Sequence, residues 1–243
     1  MTTHNPHSRS SFPPSPAKPG EGSQGGEVGC EPPAPDAIAR AAAALAAGRL
    51  AIVPTDTVYG VAADLRRDDA VRALYAAKGK GDSAPLQVLF APNHNDIEGY
   101  ATWTPAAEAL VAALGPGAWT IILPARDGWD SPALAGGRTI GVRIPDSPVV
   151  HALIAALGAP LAASSANLHG SPSPRTCAEA VTGVGSHCAI VLDGGTCPAG
   201  IDSTVIDLAS DEPRILREGA IDRQTVARIL NLPAIPVLRS VRP

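Results

Sequence analysis

The run Pro54-Thr55-Asp56-Thr57-Val58-Tyr59-Gly60 crowds two threonines, an aspartate and a tyrosine into one short loop. A chain that leaves a strand through proline and regains freedom at glycine makes a tight, shaped turn presenting hydroxyls and backbone N–H groups. At the end of a strand in an open α/β fold, that is where ligands bind. Lys78-Gly79-Lys80 follows, with Lys78 eighteen residues beyond Gly60. A lysine ammonium is a mobile point charge suited to phosphate oxygens, and two of them one residue apart can reach adjacent groups. Arg143 ends the stretch Thr139–Arg143, with Thr139 on the same strand face. Ser164-Ser165-Ala166-Asn167 comes straight after the apolar Leu161-Ala162-Ala163; Ser173, the segment Gly200-Ile201-Asp202-Ser203-Thr204-Val205 and Arg217 complete the polar set. The histidines are scattered, with no defensible Ser–His–Asp order, and no G-x-x-x-x-G-K-[ST] phosphate loop is present. Taken singly, each motif also has a plainer reading: a solvated turn for Lys78–Lys80, an Asx-type turn for Ser165–Asn167, a surface strand end for Arg143.

The elements that must position these residues alternate between helix and strand. Asp36 caps a helix over Ala37–Ala47 that ends at Gly48, and Leu50–Val53 is a short apolar strand leading into the first loop. A helix from Asp68 through Ala77, with Val71, Leu74 and Tyr75 inward, delivers Lys78 at its C-terminal end. Leu86–Phe90, Trp119–Leu123, Thr139–Arg143 and Leu161–Ala163 read as strands, while Thr104-Pro105 and Ser147-Pro148 start helices with proline in the first turn. Gly115–Thr120 reads mainly as scaffold, a Pro- and Gly-shaped turn before a strand. A helix near Thr176–Thr182, strands near Ala189–Leu192, Ser203–Leu208 and Arg214–Leu216, and a last helix from Asp222 follow. The alternation, with tighter strand-to-strand spacing at two places, predicts one α/β domain on a mixed twisted sheet with flanking helices.

Of the 243 residues 45% are hydrophobic and only 3% aromatic, so aliphatic side chains must fill the core. The net charge of −4 gives no basic footprint able to hold a nucleic-acid backbone unaided. Cys30, Cys177, Cys188 and Cys197 show neither C-x-x-C spacing nor a neighbouring histidine, so no metal site is expected. The first 35 residues contain eight prolines and five glycines with almost no large apolar side chain; they read as a disordered tail, removable without loss of activity. The domain then spans 36–232, with 233–243 a short C-terminal tail. The chain shows no signal peptide or membrane span, and the expectation is a cytoplasmic protein with reduced thiols.

The ordered set of Pro54–Gly60, Lys78-Gly79-Lys80 with Pro85-Leu86, Ser165-Ala166-Asn167 and Gly200–Val205 resembles the YrdC-like family, the threonylcarbamoyl-AMP synthases of tRNA modification, over roughly Arg49 to Ile221. The resemblance implies synthesis of L-threonylcarbamoyl-AMP from L-threonine, bicarbonate or CO2 and ATP, with Mg2+ arriving on ATP and pyrophosphate leaving. It implies no tightly bound cofactor and no resident metal. Partners would be ATP, L-threonine, bicarbonate, a downstream threonylcarbamoyl transferase complex and, indirectly, tRNA. By position it assigns Lys78 and Lys80 to catalysis at the phosphates, and Thr55, Tyr59, Arg143 and Ser203 to L-threonine. The nucleotide is assigned Lys78, Thr139, Ser165, Asn167, Ser173 and Arg217. Lys80 stands where the family has arginine, and Glu218 follows Arg217 where the family more often has proline. Asp56 has two readings, a hand on the ATP magnesium or an acceptor for backbone N–H groups inside the loop. A carbamoyl-transfer module of the hydrogenase-maturation type is disfavoured, since such chains are longer and carry zinc-finger cysteine pairs. A non-catalytic RNA-binding or ribosome-assembly module is disfavoured by the acidic balance.

Overall fold

The computed structural model describes Met1 and residues 29–79, 84–92 and 94–238. Among them, ten strands form one sheet: β1 (Cys30–Glu31), β2 (Leu50–Val53), β3 (Gly60–Asp64), β4 (Gln87–Leu89), β5 (Trp119–Pro124), β6 (Thr139–Arg143), β7 (Leu161–Ser165), β8 (Cys188–Leu192), β9 (Thr204–Asp207) and β10 (Arg214–Arg217). Their spatial order is β1-β8-β2-β3-β7-β4-β6-β5-β9-β10. Parallel pairs (β1 with β8, β2 with β8, β4 with β6, β5 with β9) are interspersed with antiparallel ones, as the alternation of elements predicts.

Six α-helices flank the sheet: α1 (Pro35–Ala46), α2 (Asp68–Ala77), α3 (Pro105–Leu114), α4 (Pro148–Leu157), α5 (Cys177–Val184) and α6 (Arg223–Ile229). Their starts are written in side chains: Thr104, Ser147, Thr176 and Asp222 each accept a backbone N–H of the first turn, a contact worth about 1 kcal/mol apiece. α1 departs from expectation. Pro35 opens it, Ala34 supplies no side-chain cap, and Asp36 lies inside the first turn, paired with Arg40.

Side-chain alternation decides which face of the sheet is covered. Ile52, Val61, Val88, Ile121 and Val142 point to a core closed by α2, α3, α5 and α6. Ala51, Val53, Leu89, Leu161 and Ile190 point the other way, under Ala41 and Leu45 of α1 and Val150 and Leu153 of α4. These two helices span only part of that second face. Over β4, β6, β5 and β9 the same face stays open, and the open part is the cleft described below.

Three expectations are corrected. The tail over 1–35 does not extend to Pro35: Cys30–Glu31 pairs with Val191–Leu192, Glu31 O accepts from Asp193 N at 2.7 Å, and α1 begins at Pro35. A two-residue strand held by edge pairing leaves no hydrophobic signature, so composition misses it. Cys30 is disulfide-bonded to Cys177 at the start of α5, which overturns the expectation of four reduced thiols; Cys188 and Cys197 are free and buried. At the other end, 233–243 is a tail only in part. Ile235 is buried, Ile215 N donates to Pro236 O, and Leu238 N donates to Ile215 O. No helix among the described residues is long and apolar enough to cross a membrane.

Candidate active site

The open sheet face forms a cleft of about 210 Å3. Its floor is a row of register partners: Ala163 opposite Gln87, Gln87 opposite Gly141, and Gly141 opposite Ile122. Gly141 keeps the floor low, because a Cβ there would sit 3.3 Å from both Ile122 Cδ1 and Thr120 Cγ2. A second compartment of about 170 Å3 shares Pro85, Leu86, Ser164 and Ser165 with the first, so the two adjoin along that edge. The candidate surface lies on the face of the sheet, with β7 contributing Ser164 and Ser165 while still in strand conformation.

Arg143 ends β6 at one wall of the first compartment and is only 2% exposed. Its Nη2 donates to Asp56 Oδ1 at 2.6 Å and to Thr57 Oγ1 at 2.9 Å, and its Nε donates to Gly117 O at 3.3 Å. Burial pushes the guanidinium below its ordinary value, and Asp56 opposes that shift. Arg217 adds like charge nearby, so Arg143 would gain further from an incoming anion. Asp56 is thus the counter-ion of the buried arginine through Oδ1, and among the described residues no backbone N–H donates to its side chain.

The facing wall is a hydroxyl network. Arg217 Nε donates to Ser203 O at 3.0 Å and Nη2 to Ser203 Oγ at 3.2 Å, while Ser203 Oγ lies 2.9 Å from Thr120 Oγ1. Asp202 lines the same cleft, accepting from Ser173 Oγ at 3.1 Å and pairing with Arg217 Nη1 at 3.5 Å. Gly219 is required here: any Cβ would collide with Asp202 O and with the Ser203 backbone.

In the second compartment Lys78 stands at the C-terminal end of α2, 8% exposed, with Nζ donating to Ser165 O at 2.5 Å and Asn167 O at 2.9 Å. Asn167 donates through Nδ2 to Leu168 O and Ser171 O, while its Oδ1 is buried without a partner among the described residues. A buried acceptor left without a donor is costly, so this atom suits a ligand hydroxyl or amine.

A profile of the Sua5_yciO_yrdC family, described as telomere recombination, matches residues 43–219. The chain belongs to this family. Among its relatives, threonylcarbamoyl-AMP synthase of Bacillus subtilis (strain 168) is 38% identical over 196 residues, 79% of this chain and 56% of that protein. A Mycobacterium tuberculosis (strain ATCC 25618 / H37Rv) protein, provisionally designated the same, is 38% identical over 200 residues, 81% of this chain and 90% of that one. The solved structure of P. abyssi Sua5 complexed with L-threonine superposes with a TM-score of 0.78 at 31% identity, over 83% of this chain and 58% of that chain. The chain thus spans little more than half of the Bacillus and P. abyssi proteins and most of the Mycobacterium one.

Within this Sua5_yciO_yrdC chain, Arg143, Ser165, Ser203 and Arg217 meet in one groove, and Lys78 and Asn167 join them through the shared Ser164–Ser165 edge. Ser173 lines neither compartment; its hydroxyl donates to Asp202 Oδ1. Three family-implied residues, Thr55, Tyr59 and Thr139, lie elsewhere. The Thr55 hydroxyl is spent inside its own turn, donating to Val58 O at 2.6 Å and accepting from the N–H of Thr57 and Val58, and it is Thr57 that lines the cleft. Tyr59 is fully buried and its hydroxyl meets Gly195 O at 2.6 Å, Asp193 Oδ1 at 3.0 Å and Gly194 N at 3.1 Å, so it braces the 193–195 loop. Burial and Asp193 push that phenol above its ordinary 10.0, keeping it neutral. Thr139 opens β6 opposite Pro124, beyond the lining of either compartment. Lys80 lies outside the described residues. Sequence reasoning missed Gln87 and Asp202 and took Thr120 for scaffold; only the register of β4, β5 and β9 brings them to the cleft.

Proposed function

We propose that this chain condenses L-threonine, bicarbonate or CO2, and ATP into L-threonylcarbamoyl-AMP, releasing pyrophosphate. The observation that carries this reading is the adjoining of two unlike compartments along one edge, in a member of this family. A buried arginine with adjacent hydroxyls suits an amino acid bearing a carboxylate and a hydroxyl. A lysine beside an unpartnered amide acceptor suits a nucleotide. The Bacillus relative carries that enzyme's name, and P. abyssi Sua5 holds L-threonine in its crystal structure.

The chemistry needs little covalent help. The threonine amine adds to CO2 and loses a proton, giving a carbamate. One carbamate oxygen attacks the α-phosphorus, and the bond to the β-phosphate oxygen breaks, pyrophosphate leaving with the electron pair. Positioning and positive charge lower the barrier. Arg143 and Ser203 hold the amino acid, while Lys78, with Lys80 in the adjoining segment, attends the phosphates. Mg2+ arrives as part of the ATP substrate. Asp202, which lines the cleft, and Asp56, which pairs with Arg143, both already face arginines, so phosphate oxygens and water would dominate the ion's shell. The mixed anhydride is labile and would pass to a threonylcarbamoyl transferase that itself engages tRNA, consistent with a net charge of −4 on this chain. In the test, the purified chain receives ATP, Mg2+, threonine and 13C-bicarbonate, and the adenylate is read by mass. A threonine-dependent adenylate one mass unit heavier than its 12C form is expected. A folded chain that forms none contradicts the proposal.

A further inference from the structure

Gln87 sits at the centre of the groove floor, and nothing in the family motifs assigns it a task. It is paired with Gly141, two residues before Arg143, and with Ala163, two residues before Ser165. It therefore lies between the wall that suits the amino acid and the edge that leads to the nucleotide compartment. Its orientation is set by the contact with Thr120. Gln87 Oε1 lies 3.2 Å from Thr120 Oγ1, so the Thr120 proton points at the glutamine. The Thr120–Ser203 contact at 2.9 Å must then use the Ser203 proton, and Ser203 Oγ accepts from Arg217, which can only donate. With Oε1 turned to Thr120, the relay runs Arg217 to Ser203 to Thr120 to Gln87, and Nε2 of this cleft-lining side chain has no hydrogen-bond partner among the described residues.

We infer that Gln87 is a substrate-contacting residue whose amide N–H groups hold the carbamate formed on threonine, with Thr120 as the positioning residue that fixes the amide's orientation. This deepens the proposed synthase reaction and rests on it. The amine donates to the carbamate oxygen that does not attack phosphorus, keeping the other directed at the α-phosphate. No charge is neutralised on the glutamine, so it holds the anion without drawing away the electron pair that forms the new bond. Its place between Gly141 and Ala163 puts this donor where the carboxylated nitrogen must lie if the threonine carboxylate is at Arg143 and the nucleotide beyond Ser165.

The test compares wild type with Gln87→Leu and Thr120→Val, following pyrophosphate release against bicarbonate and against threonine, together with threonine binding in the absence of bicarbonate and ATP. A hydrogen bond to a charged acceptor predicts that Gln87→Leu raises the bicarbonate requirement or lowers turnover by about 10- to 100-fold. Thr120→Val should produce a smaller loss of about 3- to 10-fold, since the amide is then free to flip. Threonine binding without bicarbonate should stay within about twofold of wild type for Gln87→Leu, because the Arg143 wall is intact. Wild-type bicarbonate dependence and turnover in Gln87→Leu overturn the inference, as does a loss that appears equally in threonine binding alone. Should Gln87→Leu fail to fold, Gln87→Met takes its place with the same readings. A wild-type chain that releases no pyrophosphate with both substrates refutes the synthase reading itself, a result distinct from either variant's failure.

Discussion

Replacing Arg143 separates its part in the fold from its part at the ligand. The side chain is 2% exposed and holds Asp56, whose side chain is 12% exposed, at 2.6 Å, with Thr57 Oγ1 at 2.9 Å. Arg143→Met keeps most of the volume and removes the charge, stranding a nearly buried carboxylate. Breaking one side of a buried pair costs about 3–5 kcal/mol, so a domain of ordinary stability should survive with a clearly lower denaturation midpoint. Adding Asp56→Asn removes the stranded charge, and a coupling of about 2–3 kcal/mol should be recovered in the double variant. Threonine binding should not return with it. Losing a charge-assisted contact to the carboxylate, about 1.5–3 kcal/mol, raises the threonine requirement about 10- to 150-fold in both variants. Urea titrations of wild type, both singles and the double variant give the stability cycle, and threonine-dependent pyrophosphate release gives the ligand term. A double variant that regains stability and wild-type threonine dependence together would show that Arg143 only holds the loop, and the assignment of this wall to threonine would fall.

Lys78 is enclosed by Ser165 O and Asn167 O, so Lys78→Met should lower stability by about 1–3 kcal/mol and also cut turnover by about 10²- to 10³-fold; turnover that falls only as far as the folded fraction falls would remove it from the phosphates. The Cys30–Cys177 disulfide joins residues 147 apart in sequence, for which chain entropy allows up to about 5 kcal/mol; a dithiol reductant or Cys177→Ser should lower the midpoint of a thermal melt, and coincident melts with and without reductant would refute a stabilising disulfide. Burial lifts the Cys188 thiol from its ordinary 9.0 to about 12, so between those values the unfolded chain loses a proton that the folded chain keeps. Stability should fall as pH rises through this window, and Cys188→Ala should flatten the slope; an unchanged slope would place the thiol in contact with solvent.

Much of this site was legible because its residues sit in short, ordered motifs next to apolar strands. Arg143, Ser165, Ser203 and Arg217 line one cleft. Thr55 and Thr57 show where that reading ends. Both stand in the same loop, and the turn's own hydrogen bonds decide that Thr55 closes the turn while Thr57 faces the groove. Gln87 and Leu89 share one face of β4, yet one lines the cleft and the other is buried with α1 and α4; periodicity gives the face but not where a helix stops covering it. β3, Gly60–Asp64, is built from small residues without a β-branched run, so only its ladders to β2 and β7 make it a strand. The bond between Cys30 and Cys177 follows from three-dimensional proximity alone, since neither spacing nor composition links the two ends of so long a loop.

The central claim, that two adjoining compartments bring together threonine, carbonate carbon and nucleotide, is tested most directly by pyrophosphate release from ATP with threonine and bicarbonate supplied separately and together. The account predicts release only when both are present. Equal release with ATP alone, or none from the folded chain with Mg2+ and both substrates, would contradict it.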